Sequence, residues 1–352
     1  MRAVIAYGKG DVRVEALELP RPGPGQVAVR IAYGGICGSD LHYVHRGGVG
    51  DYSIREPLTL GHEVSGTVAE LGEGVDGPPV GTPVTVHPAT PCGECAQCRA
   101  GRPNTCPSTR YLGSAAHLPH VQGGFADVLV VRAAQLVELP AGLALDRAAL
   151  AEPLAVALHA LSRAGDVRGR RVLVTGAGPI GVLVAAAARH AGAAEVVVSD
   201  LVPQALEVAR RCGATSTVPA GDQAGGLDAG DPLDVDVAVE ASGAPQALGT
   251  CVRHVVRGGI VVQVGLLPPG DVPAPGNLLV TKEVDLRGAF RFADEIRTAV
   301  DLLAGGLPVD AVLTHRVPVA EAVPAFDLAG DRTVASKVLL DFTGDVTGGT
   351  AD

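Results

Sequence analysis

The residues in this chain that could do chemistry fall into three sets. The most compact is Cys92-Gly93-Glu94-Cys95-Ala96-Gln97-Cys98 followed by Cys106, a C-x2-C-x2-C-x7-C spacing. Four thiolates in a Gly- and Pro-rich stretch suit a closed tetrahedral zinc site, although iron–sulfur clusters also take four cysteines. Nothing in the sequence resembles an electron-transfer module, so zinc is the reading adopted. Protein ligands would fill every position of such a site, which makes it structural.

The second set is spread out. Cys37 lies in Gly34-Gly35-Ile36-Cys37-Gly38-Ser39-Asp40, and His62 and Glu63 lie in Gly61-His62-Glu63-Val64-Ser65-Gly66. Singly, each has an ordinary explanation: a small buried thiol, a hydrogen-bonded core imidazole, a surface carboxylate. Together they can bind a catalytic zinc with one position left for water or substrate.

The third set is Gly176-Ala177-Gly178-Pro179-Ile180-Gly181. A lone G-x-G-x-x-G is weak evidence. Here an apolar strand pattern precedes it, an Ala-rich helix follows, and Asp200 closes the next strand. That is the context a dinucleotide fingerprint needs. Gly176 allows the tight turn, and Gly178 lets the backbone approach a pyrophosphate at the helix N-terminus. Gly181 lets helix and strand pack closely. Asp200 would accept ribose hydroxyls, and it could also cap a helix. Val264 and Gly265, after a later strand, join the expected cofactor contacts.

Two kinds of architecture must position these sets. Val- and Ile-rich runs at 2–6, 12–15, 26–31, 64–71, 84–87 and 125–131 alternate with Gly/Pro turns, so the first part reads as β-rich. Near residue 145 the texture changes. A helix is expected over 145–162. Strands at 171–175, 195–199, 235–240 and 260–264 then alternate with helices at 179–191 and 203–212. That alternation argues for a doubly wound parallel sheet. From 284 the pattern is mixed again, and 343–352 reads as a loose polar tail. At roughly 150 residues per domain, 352 residues suggest two domains.

Composition excludes several functions. Aromatics are 3% and Trp is absent, so the cores are aliphatic and no stacking platform for single-stranded nucleic acid is expected. A net charge of −10 without a basic cluster argues against nucleic-acid binding altogether. The longest apolar stretches, such as 182–188, fall short of the roughly 20 residues a bilayer span needs, so no membrane partner is expected. The chain opens in a strand pattern without a signal-peptide core, which points to the cytoplasm. In that setting clustered cysteines mean metal more than disulfides, and Cys212 and Cys251 read as packing residues.

The string Gly61-His62-Glu63-x2-Gly66-x5-Gly72-x2-Val75 resembles the zinc signature of the medium-chain alcohol and polyol dehydrogenases. Cys37, the four-cysteine lobe, Glu152 within Ala151-Glu152-Pro153-Leu154, and the 176–200 fingerprint fall in that family's order. The run from Gly34 to Tyr43 is similar to the sorbitol, xylitol and L-idonate 5-dehydrogenase branch. Gly113-Ser114-Ala115, Phe125 after Gly123-Gly124, and Leu286-Arg287-Gly288-Ala289-Phe290-Arg291-Phe292 resemble its idonate members.

The resemblance implies an α/β plus β fold. A GroES-like β-barrel catalytic domain (1–155 plus 289–352) would carry a structural-zinc lobe at 88–110. A Rossmann domain (156–288) would be inserted into it, with the active site in the cleft between. Cys37 and His62 would bind the catalytic zinc, and Glu63 or Glu152 would complete the shell. Ser39 and His42 match proton-relay positions. Tyr43 and Arg291 would line the substrate site, although Arg291 could instead brace a carboxylate such as Glu152. The expected cofactors are two zinc ions per chain and NAD. NADP is possible but less favoured, since Leu201 puts no base beside Asp200. The expected assembly is a homodimer or homotetramer. The expected reaction is reversible oxidation of a secondary alcohol on a small sugar acid or polyol: L-idonate to 5-keto-gluconate, or in-class sorbitol or xylitol oxidation. A non-catalytic, zinc-stabilised dinucleotide-binding sensor is the alternative of a different class. The intact set Cys37, Ser39, His62, Glu63 and Glu152 argues against it.

Overall fold

The computed structural model describes residues 1–344. Most of the expected polar tail, 345–352, lies outside the described residues.

Most of the strands are divided between two large sheets. Six strands form a parallel sheet in the order Ser216–Pro219, Glu195–Asp200, Arg171–Thr175, Val235–Glu240, Val255–Gln263, Asp285–Gly288. In chain order that is 3-2-1-4-5-6, the doubly wound arrangement whose strand order reverses between the first and fourth strands. Its inner strands Glu195–Asp200, Arg171–Thr175 and Val235–Glu240 are buried along almost their whole length, which is why they read as near-continuous apolar runs. The Gly-rich turn follows the first strand, so it sits at that reversal.

The second sheet has seven strands. The central strand Gln26–Gly35 is flanked by Glu63–Leu71 on one side and by Val128–Arg132 and Lys337–Asp341 on the other. Its core holds Val29, Ile31, Leu60, Val64, Phe125 and Phe326. A smaller sheet of Asp11–Ala16, Arg2–Gly8 and Leu58–Thr59 closes beside it.

The helix expected over 145–162 is two helices, Leu145–Ala148 and Ala151–Ala164. Pro153 explains the break. It has no N–H to donate to the Ala149 carbonyl, and its ring would clash with that carbonyl in a continuous helix. The second helix therefore starts afresh, which places Glu152 in a first turn. The helix Glu295–Ala304 packs on Ala151–Ala164, and its apolar side shares a core with the helix Pro179–His190.

Candidate active site

Sheet register brings the second set together. Gly35 lies opposite Glu63 on one neighbouring strand and opposite Leu339 on the other. A Cβ on Gly35 would stand 2.2 Å from Glu63 Oε2. The missing side chain leaves room for Glu63 to fold across the central strand. There Lys337 donates to both its oxygens at 2.8 and 2.7 Å, and to the Ile36 carbonyl at 3.0 Å. Two residues beyond Gly35, Cys37 caps the helix Gly38–Arg46. Ligand atoms of Cys37, His62 and Glu63 lie within 4.8 Å of one another.

Asp40 holds this arrangement in register. It is fully buried and accepts the N–H of Cys37 at 3.0 Å and of Gly61 at 3.2 Å. It thereby ties the helix start to the loop that carries His62. Its Oδ1 lies 3.9 Å from His62 Nδ1. Sequence reasoning passed over Asp40. An acidic residue three positions after a helix N-cap was the available signal.

Glu152 stands outside the 4.8 Å set. Its Oε1 accepts the Tyr111 hydroxyl at 2.6 Å. Burial pushes its carboxyl up to about 7, with Glu63 adding to the rise, against the pull of His62, Tyr111 and Lys337. Burial also holds the Tyr111 phenol well above its ordinary range, with Glu152 reinforcing it, so the phenol stays a donor. Burial alone would lower His62. The surrounding Cys37, Asp40 and Glu152 outweigh that and hold it well above the usual imidazole range. Cys37, Asp40, His62, Glu63 and Glu152 thus gather one thiol, three carboxylates and an imidazole around a single buried cation, Lys337. His62 Nδ1 has no hydrogen-bond partner among the described residues. The donor set therefore fits a zinc ion of the open, catalytic type.

Arg291 sits on the far side of Tyr111. Its guanidinium lies over the Tyr111 ring at 4.3 Å and near the Phe290 ring at 4.7 Å. Among the described residues no carboxylate lies within 4.0 Å of it, so it does not brace Glu152. Its φ of 53° is in the left-handed region, uncommon for a side-chain-bearing residue. The turn is held by Asn104 Nδ2, which donates to the Phe290 carbonyl at 2.9 Å. Asn104 belongs to the cysteine lobe, which thus supports the turn that presents Arg291.

Tyr43 and the relay positions are placed differently. Tyr43 is buried in the barrel core, and its hydroxyl accepts the Ala115 N–H at 3.0 Å. His42 lines the cleft. Ser39 lies one turn earlier on the same helix, and no direct hydrogen bond joins the two.

In the cysteine lobe, Cys92 Sγ lies 4.0 Å from Cys98 Sγ and 3.6 Å from Cys106 Sγ. A tetrahedron with zinc–sulfur bonds of about 2.3 Å has edges of about 3.8 Å, and a disulfide would need about 2 Å. The N–H groups of Cys92, Cys95 and Cys98 each point at a cysteine sulfur at 3.4 Å, which favours thiolates. All four sulfurs lie within 4.8 Å of one another. The lobe fits a closed structural zinc.

The nucleotide turn forms one wall of a cleft of about 400 Å³. Gly178, Pro179 and Ile180 face Cys37, His42 and Lys337 across it. Gly178 is the N-cap of the helix Pro179–His190. Gly181 packs so closely that a Cβ would lie 1.9 Å from the Gly176 carbonyl oxygen. Val264 and Gly265 donate their N–H groups to the Glu240 carbonyl, at the same end of the sheet. Asp200 is buried. Its Oδ2 accepts the Ala177 N–H at 2.6 Å and its Oδ1 the Val202 N–H at 2.9 Å, just ahead of the helix Pro203–Arg211. Arg332 also pairs with Asp200. The base missing beside Asp200 in sequence is present in space.

Comparison with known proteins agrees with this geometry. The alcohol dehydrogenase GroES-like domain model matches residues 23–141, and the zinc-binding dehydrogenase model matches 179–305. The chain is 41% identical to L-idonate 5-dehydrogenase (NAD(P)(+)) of Escherichia coli K12, over 89% of this chain and 91% of that one. The chain belongs to the zinc-dependent medium-chain dehydrogenase family. This dehydrogenase is also 34% identical to the sorbitol dehydrogenase of Bacillus subtilis 168, over 87% of each chain. The E. coli L-idonate 5-dehydrogenase crystal structure superposes with a TM-score of 0.89 at 38% identity, covering 97% of both chains. A zinc-binding dehydrogenase from Sinorhizobium meliloti, solved with NADP, gives 0.87 at 34% identity, covering 97% of this chain and 98% of that one. The dehydrogenase thus pairs a GroES-like domain with a Rossmann-type domain, and its cofactor classes are zinc and a nicotinamide dinucleotide. Among the described residues, no helix is long and apolar enough to cross a membrane.

Proposed function

We propose that this dehydrogenase reversibly oxidises a secondary alcohol of a sugar acid, L-idonate to 5-keto-gluconate. One observation carries the choice of an acid over a neutral polyol. Arg291 presents a guanidinium with no carboxylate partner among the described residues, stacked on the Tyr111 ring whose hydroxyl binds Glu152. A partly buried arginine held this way can donate bidentately to a carboxylate. The relationship to an L-idonate 5-dehydrogenase at 41% identity supports the same substrate.

When bound, zinc supplies a Lewis acid for the substrate hydroxyl and the dinucleotide supplies the hydride acceptor. The protein's own groups do the rest. Cys37, His62 and Glu63 would hold the metal, and Asp40 fixes the segments that carry two of them. Glu152, held by Tyr111, stands ready to exchange with Glu63. Cys92, Cys95, Cys98 and Cys106 would hold a second, structural zinc. Ser39 and His42, one turn apart on the same helix, pass the hydroxyl proton toward solvent. Gly176 to Gly181, Asp200, Val264 and Gly265 seat the dinucleotide.

We divide the chain into a catalytic domain of 1–155 plus 289–352 and a dinucleotide-binding domain of 156–288, and place the protein in the cytoplasm as a homo-oligomer. The strand Asp285–Gly288 ends the parallel sheet with Leu286 exposed, an edge suited to pairing with a second copy.

The deciding experiment is a substrate panel of L-idonate, D-gluconate, sorbitol, xylitol and L-threonine, each with NAD and NADP, read at 340 nm. The expected result is the highest kcat/KM with L-idonate. A neutral polyol turned over faster than every acid would move the assignment to a sorbitol- or xylitol-type enzyme.

A further inference from the structure

We propose that Arg332 admits a 2′-phosphorylated dinucleotide to this site, so that cofactor choice is set by the C-terminal segment rather than by the residue after Asp200. The proposal deepens the dinucleotide reading of the 176–200 turn and rests on it.

The argument starts from the Asp200 carboxylate. Both of its oxygens are fastened to backbone, Oδ2 by the Ala177 N–H and Oδ1 by the Val202 N–H. It is only 4% exposed, so it cannot turn away from an incoming ligand. Left alone, it would accept ribose hydroxyls and repel a phosphate on the ribose 2′-oxygen. It is not alone. Arg332 Nη2 pairs with Oδ2, reaching over 132 residues of sequence. Arg332 makes no other side-chain hydrogen bond or ion pair among the described residues, and it is 47% exposed. One member of the pair is fixed and the other is free to move.

The surroundings say where Arg332 can move. It lines the same cleft as Gly178 and Gln204, the first on the phosphate-facing turn and the second on the helix after Asp200. Its segment is braced by Asp331, whose Oδ1 accepts the Thr333 N–H and hydroxyl at 2.9 and 2.6 Å. Leu201, the position where an adjacent base would stand, is 72% exposed and apolar. A 2′-phosphate arriving at Asp200 would therefore meet the Arg332 guanidinium. Arg332 cancels the carboxylate's charge and offers the phosphate a bidentate donor. With an unphosphorylated ribose, the hydroxyls compete with Arg332 for Asp200. One arginine then serves both cofactors, by leaving the carboxylate or by staying beside it.

The test is calorimetric titration of the full chain with two probes, ADP-ribose and 2′-phospho-ADP-ribose, for wild type, Arg332→Ala and Arg332→Lys. Neither probe undergoes hydride transfer, so substrate identity does not enter. In Arg332→Ala the 2′-phosphorylated probe should weaken relative to ADP-ribose by at least about tenfold, the scale of one charge-assisted hydrogen bond. Arg332→Lys should recover part of that ratio, since it keeps the charge and loses the fork. An unchanged ratio in Arg332→Ala, including equal losses for both probes, would mean that Arg332 only bridges two parts of the chain, and overturns the proposal. If wild type binds neither probe, the dinucleotide reading falls and the proposal falls with it.

Discussion

Lys337 Nζ donates to both carboxylate oxygens of Glu63 across the side-chain-free Gly35, although 274 residues separate the two in sequence. Both partners are almost wholly buried. Glu63 therefore reaches the metal set with its charge already countered, and Lys337 competes with the metal for the same oxygens. Replacing Lys337 by Met should leave a buried uncompensated carboxylate, at a cost of about 3–5 kcal/mol in the metal-free protein. Urea unfolding with and without added zinc checks this. The loss should shrink when zinc is present, because the metal then takes over the countercharge. A loss under about 1 kcal/mol without zinc would show that Glu63 does not depend on Lys337.

Zinc content should be about two per chain, because two ligand sets share no residue. Cys95→Ser should reduce folded yield, since structural zinc binding is coupled to folding. Cys37→Ser should fold, retain about one zinc and lose activity. Elemental analysis of protein purified without chelator reads all three. One zinc in a fully active wild type would remove one of the two assignments.

Arg291→Ala should lower kcat/KM for L-idonate by roughly 10²-fold, about 2–3 kcal/mol, while sorbitol or xylitol changes much less. Parallel losses for charged and neutral substrates would assign Arg291 to supporting Tyr111 instead. Asn104→Ala, which releases the Phe290 carbonyl, should show a weaker form of the same selectivity by loosening the turn.

His42 supplies a pH signature. Burial lowers its pKa below the ordinary imidazole value, with Arg46 and His45 adding to the effect. Only the neutral ring can accept a proton, so alcohol oxidation should fall as pH drops through that lowered value. The acid limb assigned to His42 should then have its midpoint below about 6.5. His42→Gln should remove that limb and slow turnover at every pH. A pH–kcat profile in which the variant keeps the same acid limb would take His42 out of the proton path.

The parts of this molecule that were legible in sequence are local. The cysteine lobe closes within a short loop, and the strand, Gly-rich turn and helix at 171–190 declare themselves by contiguous pattern. Cys37 and His62 could be singled out by residue type and setting. What could not be read are the groups that arrive from elsewhere: Lys337 at Glu63, Tyr111 at Glu152, Arg332 at Asp200. Each pairing depends on sheet register or on packing across the cleft, and neither leaves a periodic trace in the chain. Asp40 is the exception. Its signal was local, and it was eclipsed by the more conspicuous Cys37 three residues earlier.

The strand Lys337–Asp341 also fixes the order in which the protein can mature on the ribosome. At about 5–20 residues per second, roughly 14–55 s separate the synthesis of Glu63 from that of Lys337. Over that interval the end of Gln26–Gly35 next to Cys37 waits for its neighbour, because Gly34 and Gly35 pair with Leu340 and Leu339. All six strands of the parallel sheet are translated in the meantime and draw on no strand after Gly288. The dinucleotide-binding sheet can be complete while the metal centre is still an open edge with an unanswered charge, so the nascent chain is most exposed to mispairing late in synthesis.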